Sequence, residues 1–228
     1  MYDFHNNIIP KSFYSVKFLS RCAFDKNISF RYNTDMEIMT TQKTCAITGR
    51  RPDGFSWEYH DPQKRAVYLR HLQAAIERLV QKGVTCFITG GALGIDLDVA
   101  ETVLQLKEKY PFLTHLLVLP YENQGGRYAL KDKIRHERIQ KNSQVVAISS
   151  RFTQWCMQKR NEYMVDNADL VAAFVCGEKT GGTYNTVRYA KRKNKPVLLF
   201  DLSTCQTTEE DAWIKAAQPL LTEQLKLI

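Results

Sequence analysis

The chain contains 228 residues, 44% of them hydrophobic and 25% charged, with a formal net charge of +8 at pH 7. That length supports one sizeable core, and the composition excludes an extensively disordered chain. No hydrophobic run approaches the ~20 residues that cross a bilayer, and the amino terminus has no signal-peptide pattern. The six cysteines form no C-x-x-C pair and the five histidines lack metal-ligand spacing. We therefore expect a reduced, cytoplasmic protein with no metal site and no membrane partner.

Residues 1–42 differ from the rest of the chain. They carry several aromatic side chains but no sustained period of 2 or 3.6 residues. They form either a loosely packed arm or a stretch upstream of a natural start at Met36 or Met39, and we favour the second interpretation. Residues 43–228 are predicted to form one domain.

From residue 43 onward, short apolar and β-branched runs alternate with longer segments of helical period. The predicted strands are residues 44–48, 84–89, 115–119, 144–148, 169–175 and 196–200. The predicted helices are residues 62–82, 92–110, 131–141 and 156–165, a crossover helix after residue 182, and residues 207–225. This alternation predicts an α/β protein: a Rossmann-like, open and mainly parallel sheet of about six strands, with helices on both faces.

Glycine turns follow three of the predicted strands. They contain Gly49, then Gly90, Gly91 and Gly94, then Gly181 and Gly182. The carboxyl ends of parallel strands meet at one edge of the sheet, where open α/β sheets bind their ligands. Free backbone N–H groups at the starts of the following helices would seat a phosphate there. Each turn alone also fits a simple helix cap, but the three together favour a ligand site.

Polar side chains beside these turns extend the predicted site. Thr183, Asn185 and Thr186 would add hydroxyl and amide hydrogen bonds to the third turn. Arg50 and Arg51 follow the first turn and could clamp a phosphate; the alternative is a pair of surface arginines beside a proline turn.

Two basic stretches, residues 131–141 and 188–195, carry much of the net charge. A basic face of this kind can contact nucleic acid or an anionic nucleotide. The alternative is an ordinary solvated helix surface, and the net charge does not decide between the two.

Four segments carry a family resemblance: T-G-R-R-P at 48–52, T-G-G-A-L-G-I-D at 89–96, C-M-Q-K-R-N at 156–161 with M-V-D at 164–166, and G-G-T-Y-N-T at 181–186. In order and in spacing, over residues 43–201, they resemble the YpsA-like family of the SLOG superfamily. That superfamily also contains the DNA-processing protein DprA (Smf) and the Lonely Guy phosphoribohydrolases. The resemblance implies a Rossmann-like domain whose loops form a nucleotide-sized pocket. It also implies a link to bacterial cell division and to phages or prophages.

The resemblance implies roles for several residues and one departure. Arg160 matches an arginine of the Lonely Guy enzymes, and Asn161 follows it on a helix beside the expected pocket, although both would also fit an exposed helical face. The glutamate of those enzymes falls on Thr186, which can neither stabilise an oxocarbenium-like state nor activate water. Asp96 is the best replacement carboxylate, ahead of Glu162 and Asp166. The catalytic candidates are therefore Asp96 and Arg160; the alternative for Asp96 is a first-turn acid that favours the helix dipole.

Three functions follow from these observations. The first is a protein that senses, sequesters or regulates through a nucleotide-type ligand such as NAD, ADP-ribose or a nucleoside monophosphate. The second is an N-glycosidase that acts on such a nucleotide, and the third is DprA-like binding of single-stranded DNA. A homo-oligomer or a protein partner is compatible with each of them.

Overall fold

The computed structural model describes residues 43–176 and 180–202 of the chain. The predicted arm at residues 1–42 and the predicted helix at residues 207–225 lie outside the described residues. Within the described part, no helix is long and apolar enough to cross a membrane.

Six strands and five α-helices alternate along the described chain. The strands are β1 Lys43–Gly49, β2 Val84–Thr89, β3 Thr114–Leu119, β4 Gln144–Ala147, β5 Leu170–Val175 and β6 Val197–Asp201. The helices are α1 Pro62–Gln81, α2 Ile95–Leu106, α3 Leu130–Lys141, α4 Cys156–Asp166 and α5 Gly181–Arg192. The strands form one sheet in the order β4-β3-β2-β1-β5-β6, and every neighbouring pair is parallel. The predicted α/β, Rossmann-like fold is confirmed.

The helices cover both faces of the sheet. Side chains of α1 and α2 pack on one face around Ile47 of β1 and Phe174 of β5. Side chains of α4 and α5 pack on the other face around Ala46 and Ala173. Neighbouring strand residues point to opposite faces, and both faces are covered, so the central strands are continuous apolar runs rather than alternating ones.

Local sequence signals set most of the element boundaries. Helix α1 begins at Pro62, because Asp61 caps it by accepting the backbone N–H groups of Gln63 and Lys64 at 2.9 Å. Helix α2 begins at Ile95 instead of at the predicted residue 92. Gly94 has a φ of 89°, which a helical residue cannot adopt, so the glycine turn extends further than its helical spacing suggested.

The order of the strands reverses between β1 and β5. The chain builds β1 to β4 in one direction, and α4 then carries it back across the other face to place β5 on the free side of β1. The two strands are held in register over Cys45–Gly49, and the Asp169 carboxylate accepts the Thr44 N–H at 2.7 Å just before the pairing begins. A crevice outside the carboxyl ends of the strands at such a reversal is the usual ligand site of an open α/β sheet.

Candidate functional site

The three glycine turns meet at the carboxyl edge of the sheet. The turn after β1 contacts the start of α5, where the Thr183 hydroxyl donates to the Gly49 carbonyl at 2.9 Å. It also contacts the start of α2, where the Ile95 N–H donates to the Arg50 carbonyl at 3.2 Å. A Cβ on Gly49 would lie 2.6 Å from the Ile95 side chain, so this approach requires glycine.

Arg160 is the most buried of the predicted site arginines, with 7% of its surface exposed. Its guanidinium occupies the space that a Cβ on Gly90 would fill, which explains the glycine directly after β2. One nitrogen, Nη1, lies 3.1 Å from Oδ2 of Asp96. Among the described residues, Nε of Arg160 is buried without a hydrogen-bond partner.

Asp96 is a first-turn acid of α2, and it is also a buried member of the site. Its carboxylate accepts the Ala92 N–H at 3.2 Å in addition to the Arg160 guanidinium. Burial raises the pKa of Asp96, although Arg160 and the backbone N–H groups favour the charged form. Asp96 and Arg160, the two predicted catalytic candidates, are therefore brought together as an ion pair.

The side chains of the remaining predicted residues differ in their exposure and in their hydrogen bonds. Thr186 is buried, and its hydroxyl donates to the Gly182 carbonyl at 2.9 Å within α5. Arg50 donates from Nε to the Gly54 carbonyl at 3.2 Å, which commits one of its donors to the loop after β1. Arg51 and Asn185 are exposed, and Asn161 is partly buried.

Two neighbouring clefts open at this edge. The first, here called the α4–α5 cleft, has a volume of about 450 Å³, and its walls include Asn161, Gly182, Asn185 and Thr186. The second, here called the Arg51 cleft, has a volume of about 470 Å³. Its walls include the predicted residues Arg51 and Gly94 together with Tyr59, Gln124, Arg127 and Tyr128. Met157 lines both clefts. The buried pair of Asp96 and Arg160 is not part of the wall of either cleft.

Gln124 and Tyr128 belong to the site but were not predicted. The Tyr128 hydroxyl donates to the Gly91 carbonyl at 3.1 Å, and Nε2 of Gln124 lies 3.1 Å from that hydroxyl. Gly91 is a predicted site residue, so these two residues, which the sequence did not reveal, hold one of the predicted glycine turns in place. No local pattern marks them, because the loop after β3 meets the loop after β2 only in the folded sheet.

Comparisons with known proteins show to which family the chain belongs. The family model YpsA, described as the YspA SLOG family, matches residues 45–204. The uncharacterized SPbeta prophage-derived protein YoqJ of Bacillus subtilis is 32% identical over 135 residues, which cover 53% of this chain and 78% of YoqJ. The UPF0398 protein YpsA of B. subtilis is 24% identical over 183 residues, covering 75% of this chain and 99% of that protein. The UPF0398 protein BH1768 of Halalkalibacterium halodurans is 23% identical over 156 residues, covering 67% of this chain and 82% of that protein.

The family match begins within β1, extends past the end of β6 and includes every predicted site residue. It supports a nucleotide-related role. The chain belongs to the YpsA family of SLOG proteins.

Proposed function

We propose that this protein binds a nucleotide or a nucleotide derivative at the carboxyl edge of its sheet, and that it senses or sequesters this ligand. The ligand classes are those expected from the sequence: a nucleoside monophosphate, NAD or ADP-ribose. The observation that carries the proposal is the buried Arg160, whose Nε has no partner among the described residues. A buried polar group is normally hydrogen-bonded, so a phosphate or another acceptor would complete this site.

The start of α5 supports the same proposal. Among the described residues, a Cβ built on Gly181 or Gly182 would meet nothing within 4 Å outside the local backbone, so the space beside these two glycines is open. The N-cap residue Thr180 makes no side-chain capping bond to this turn. Unpaired N–H groups at a helix start attract a phosphate, both as donors and through the helix dipole.

Sensing is favoured over catalysis because the residue at the glutamate position and its best replacement carboxylate are both already hydrogen-bonded. The Thr186 hydroxyl is used inside α5, and the Asp96 carboxylate is held by Arg160. Neither group is poised to activate water or to stabilise a cation next to a ribose.

A specific observation keeps an N-glycosidase as the second candidate. Glu162 is partly buried and lines the α4–α5 cleft together with Thr186, and its carboxylate accepts Nε2 of Gln158 at 2.8 Å. It could supply from α4 the carboxylate that Thr186 does not supply from α5. Release of free base that disappears in Glu162→Gln would establish this second function.

Thermal stability with and without ligand tests the proposal. AMP, NAD, ADP-ribose and a short single-stranded oligonucleotide are added separately, and a ligand at 100 times its dissociation constant should stabilise the protein by about 2.7 kcal/mol. Arg160→Lys keeps the charge but loses the planar fork of donors, so we expect at least about tenfold weaker binding. Arg70→Ala removes an exposed arginine of α1 and serves as the control.

The outcomes separate the alternatives. Stabilisation by a small nucleotide that Arg160→Lys weakens and Arg70→Ala does not would support the proposal. Stabilisation by the oligonucleotide alone, with an affinity that falls steeply with salt, would favour binding of single-stranded DNA instead. A wild-type protein that responds to none of the small nucleotides contradicts the proposal.

A further inference from the structure

Three groups at the Arg51 cleft form a hydrogen-bond chain, and their donor and acceptor chemistry fixes its direction. The chain runs from Gln124 through Tyr128 to the carbonyl of Gly91, with 3.1 Å at each step. A carbonyl oxygen can only accept, and a tyrosine has a single hydroxyl proton. That proton therefore goes to Gly91, and the Tyr128 oxygen must accept its second hydrogen bond from Gln124.

This direction fixes how the Gln124 amide is turned. The nitrogen Nε2 must face Tyr128, because the opposite orientation would place two acceptors against each other. The other end of the amide, Oε1, is then an acceptor by necessity. It is buried and has no hydrogen-bond partner among the described residues, and only 4% of the residue's surface is exposed. An acceptor left unpaired in such a place is costly unless a ligand supplies a donor.

The surroundings of Gln124 suit an aromatic ring with an anionic substituent. The aromatic residues Tyr59, Tyr121 and Tyr128 line the same cleft. Arg51 and Arg127 are exposed at the cleft, and no hydrogen bond or ion pair of either side chain is found within the described part of the chain.

The other arginine of the cleft is already neutralised. Arg135 forms ion pairs with Asp98, Glu101 and Asp132 at 2.7–3.2 Å. The remaining acid of the lining, Asp53, is exposed, so the arginines with free donors outnumber it. An anionic group is therefore best placed near Arg51 and Arg127.

The Arg51 cleft adjoins the glycine turns. Arg51 of the first turn and Gly94 of the second turn line it, and the Tyr128 hydroxyl donates to the Gly91 carbonyl at 3.1 Å. A phosphate beside the turns and a ring beside Gln124 can therefore belong to one molecule.

We propose that Gln124 is a specificity-determining residue: Oε1 accepts a hydrogen bond from the exocyclic amine of the ligand's base, and Tyr128 keeps the amide turned to do so. This inference rests on the proposed nucleotide binding and adds the class of base. An amino-bearing base, such as adenine or cytosine, supplies the donor that Oε1 lacks. An oxo base places a second acceptor against Oε1 and is disfavoured.

Matched nucleotides test this inference by calorimetry. AMP and IMP differ at the 6-position of the purine, where AMP has an amine and IMP has an oxygen, and CMP and UMP form the corresponding pyrimidine pair. At least one amino nucleotide should bind the wild type about tenfold more tightly than its oxo partner, since a mismatched buried hydrogen bond costs about that much.

Two variants separate reading of the base from general support of the fold. Gln124→Met keeps most of the side-chain volume but removes the acceptor, so the amino-to-oxo ratio should fall to about one. Tyr128→Phe removes only a hydroxyl and lets the amide turn, so the oxo nucleotide should gain affinity relative to the amino nucleotide. Gln73→Met changes an exposed glutamine of α1 in the same way and should leave the ratio unchanged.

Failure of the inference and failure of the proposed function look different. If no nucleotide of either pair binds the wild type, both are overturned. If nucleotides bind but amino and oxo partners bind equally, or if the preference survives both Gln124→Met and Tyr128→Phe, nucleotide binding stands and the role of Gln124 is overturned. A ratio that collapses in both variants and persists in Gln73→Met supports the inference.

Discussion

Asp96 and Asp98 lie two residues apart on α2, and both are buried, yet their surroundings differ in kind. The side chain of Asp98 is 0% exposed and accepts hydrogen bonds from Tyr59 at 2.7 Å, Tyr68 at 3.0 Å and Arg65 at 2.7 Å. It also accepts a bond from Arg135, so it ties α1, α2 and α3 together. Among the described residues, Asp96 instead pairs with a single arginine, and that arginine packs against a glycine turn.

The difference lies in how fully the charges are satisfied. Four side chains surround Asp98 and complete its hydrogen bonding, which is the condition under which a buried charge is tolerated. The Asp96–Arg160 pair leaves Nε of Arg160 without a described partner. A saturated cluster stabilises the fold, whereas an incomplete one has bonding capacity left for a ligand.

The largest expected effect comes from breaking the saturated cluster. Asp98→Asn keeps the shape but leaves the charges of Arg65 and Arg135 without their shared partner, so the free energy of unfolding should fall by about 3 kcal/mol or more. Urea unfolding measures the loss. Asp166→Asn, at an exposed carboxylate that pairs with Lys193, is the control and should change stability little. An equal loss of stability in the two variants would contradict the stabilising role assigned to the Asp98 cluster.

A second saturated cluster surrounds His115, and it predicts a pH dependence. The Ser143 hydroxyl donates to the Ile139 carbonyl, so Nδ1 of His115 must donate to Ser143 at 2.6 Å, and Nε2 accepts from Thr89 at 3.0 Å. The neutral ring is thus fully bonded, and burial lowers the pKa of His115 from 6.5 to about 4. The unfolded chain takes up this proton first as pH falls, so the stabilisation is complete above pH 6.5 and is lost towards pH 4.

The expected loss across that window is about 3 kcal/mol. Urea unfolding at about pH 7 and about pH 4.5 should show a smaller difference in His115→Gln than in the wild type. His60→Gln, at an exposed histidine, should retain the wild-type difference. If the difference in stability between the two pH values is unchanged in His115→Gln, other groups cause the pH dependence.

The smallest expected effect is the pH dependence of stability that Asp96 contributes, and it tests the contrast between Asp96 and Asp98. Its pKa is raised above 3.8 on folding, so its contribution to stability is fully present below that pH and is lost as pH rises through the folded-state pKa. Asp96→Asn removes this pH-dependent contribution to stability. The stability of the variant relative to the wild type should therefore improve as pH rises, while the affinity for AMP falls at every pH. A relative stability that worsens with rising pH would mean that pairing with Arg160 outweighs burial.

The fold was largely predictable because its signals are local. The apolar runs of the central strands, the Asp61 cap and the glycine turns each lie within a few residues of the element that they define. The predicted start of α2 was wrong by three residues because Gly94 has a positive φ and packs closely against the Arg50 carbonyl, which comes from the turn after β1.

The candidate site was predictable only in part, for the same reason. Its glycines and Arg160 belong to recognisable segments, and all lie at the carboxyl edge. The saturation of Asp98 depends on Arg65 and Arg135, which are 33 and 37 residues away along the chain. The orientation of Gln124 depends on a carbonyl in a different loop. Such contacts have no periodicity or spacing by which a sequence pattern could reveal them.

The reversal of strand order between β1 and β5 also bears on how the chain folds. Successive local crossovers connect the strands β1 to β4, whereas β5 must reach β1 across 125 residues, as the Asp169–Thr44 contact shows. Closing a loop of that length is an entropic barrier, and contacts of high sequence separation slow folding. A chain that has assembled only β1 to β4 therefore has the first two glycine turns and lacks the third. We therefore expect the site to be completed late in folding, so that a ligand that needs all three turns recognises the finished protein alone.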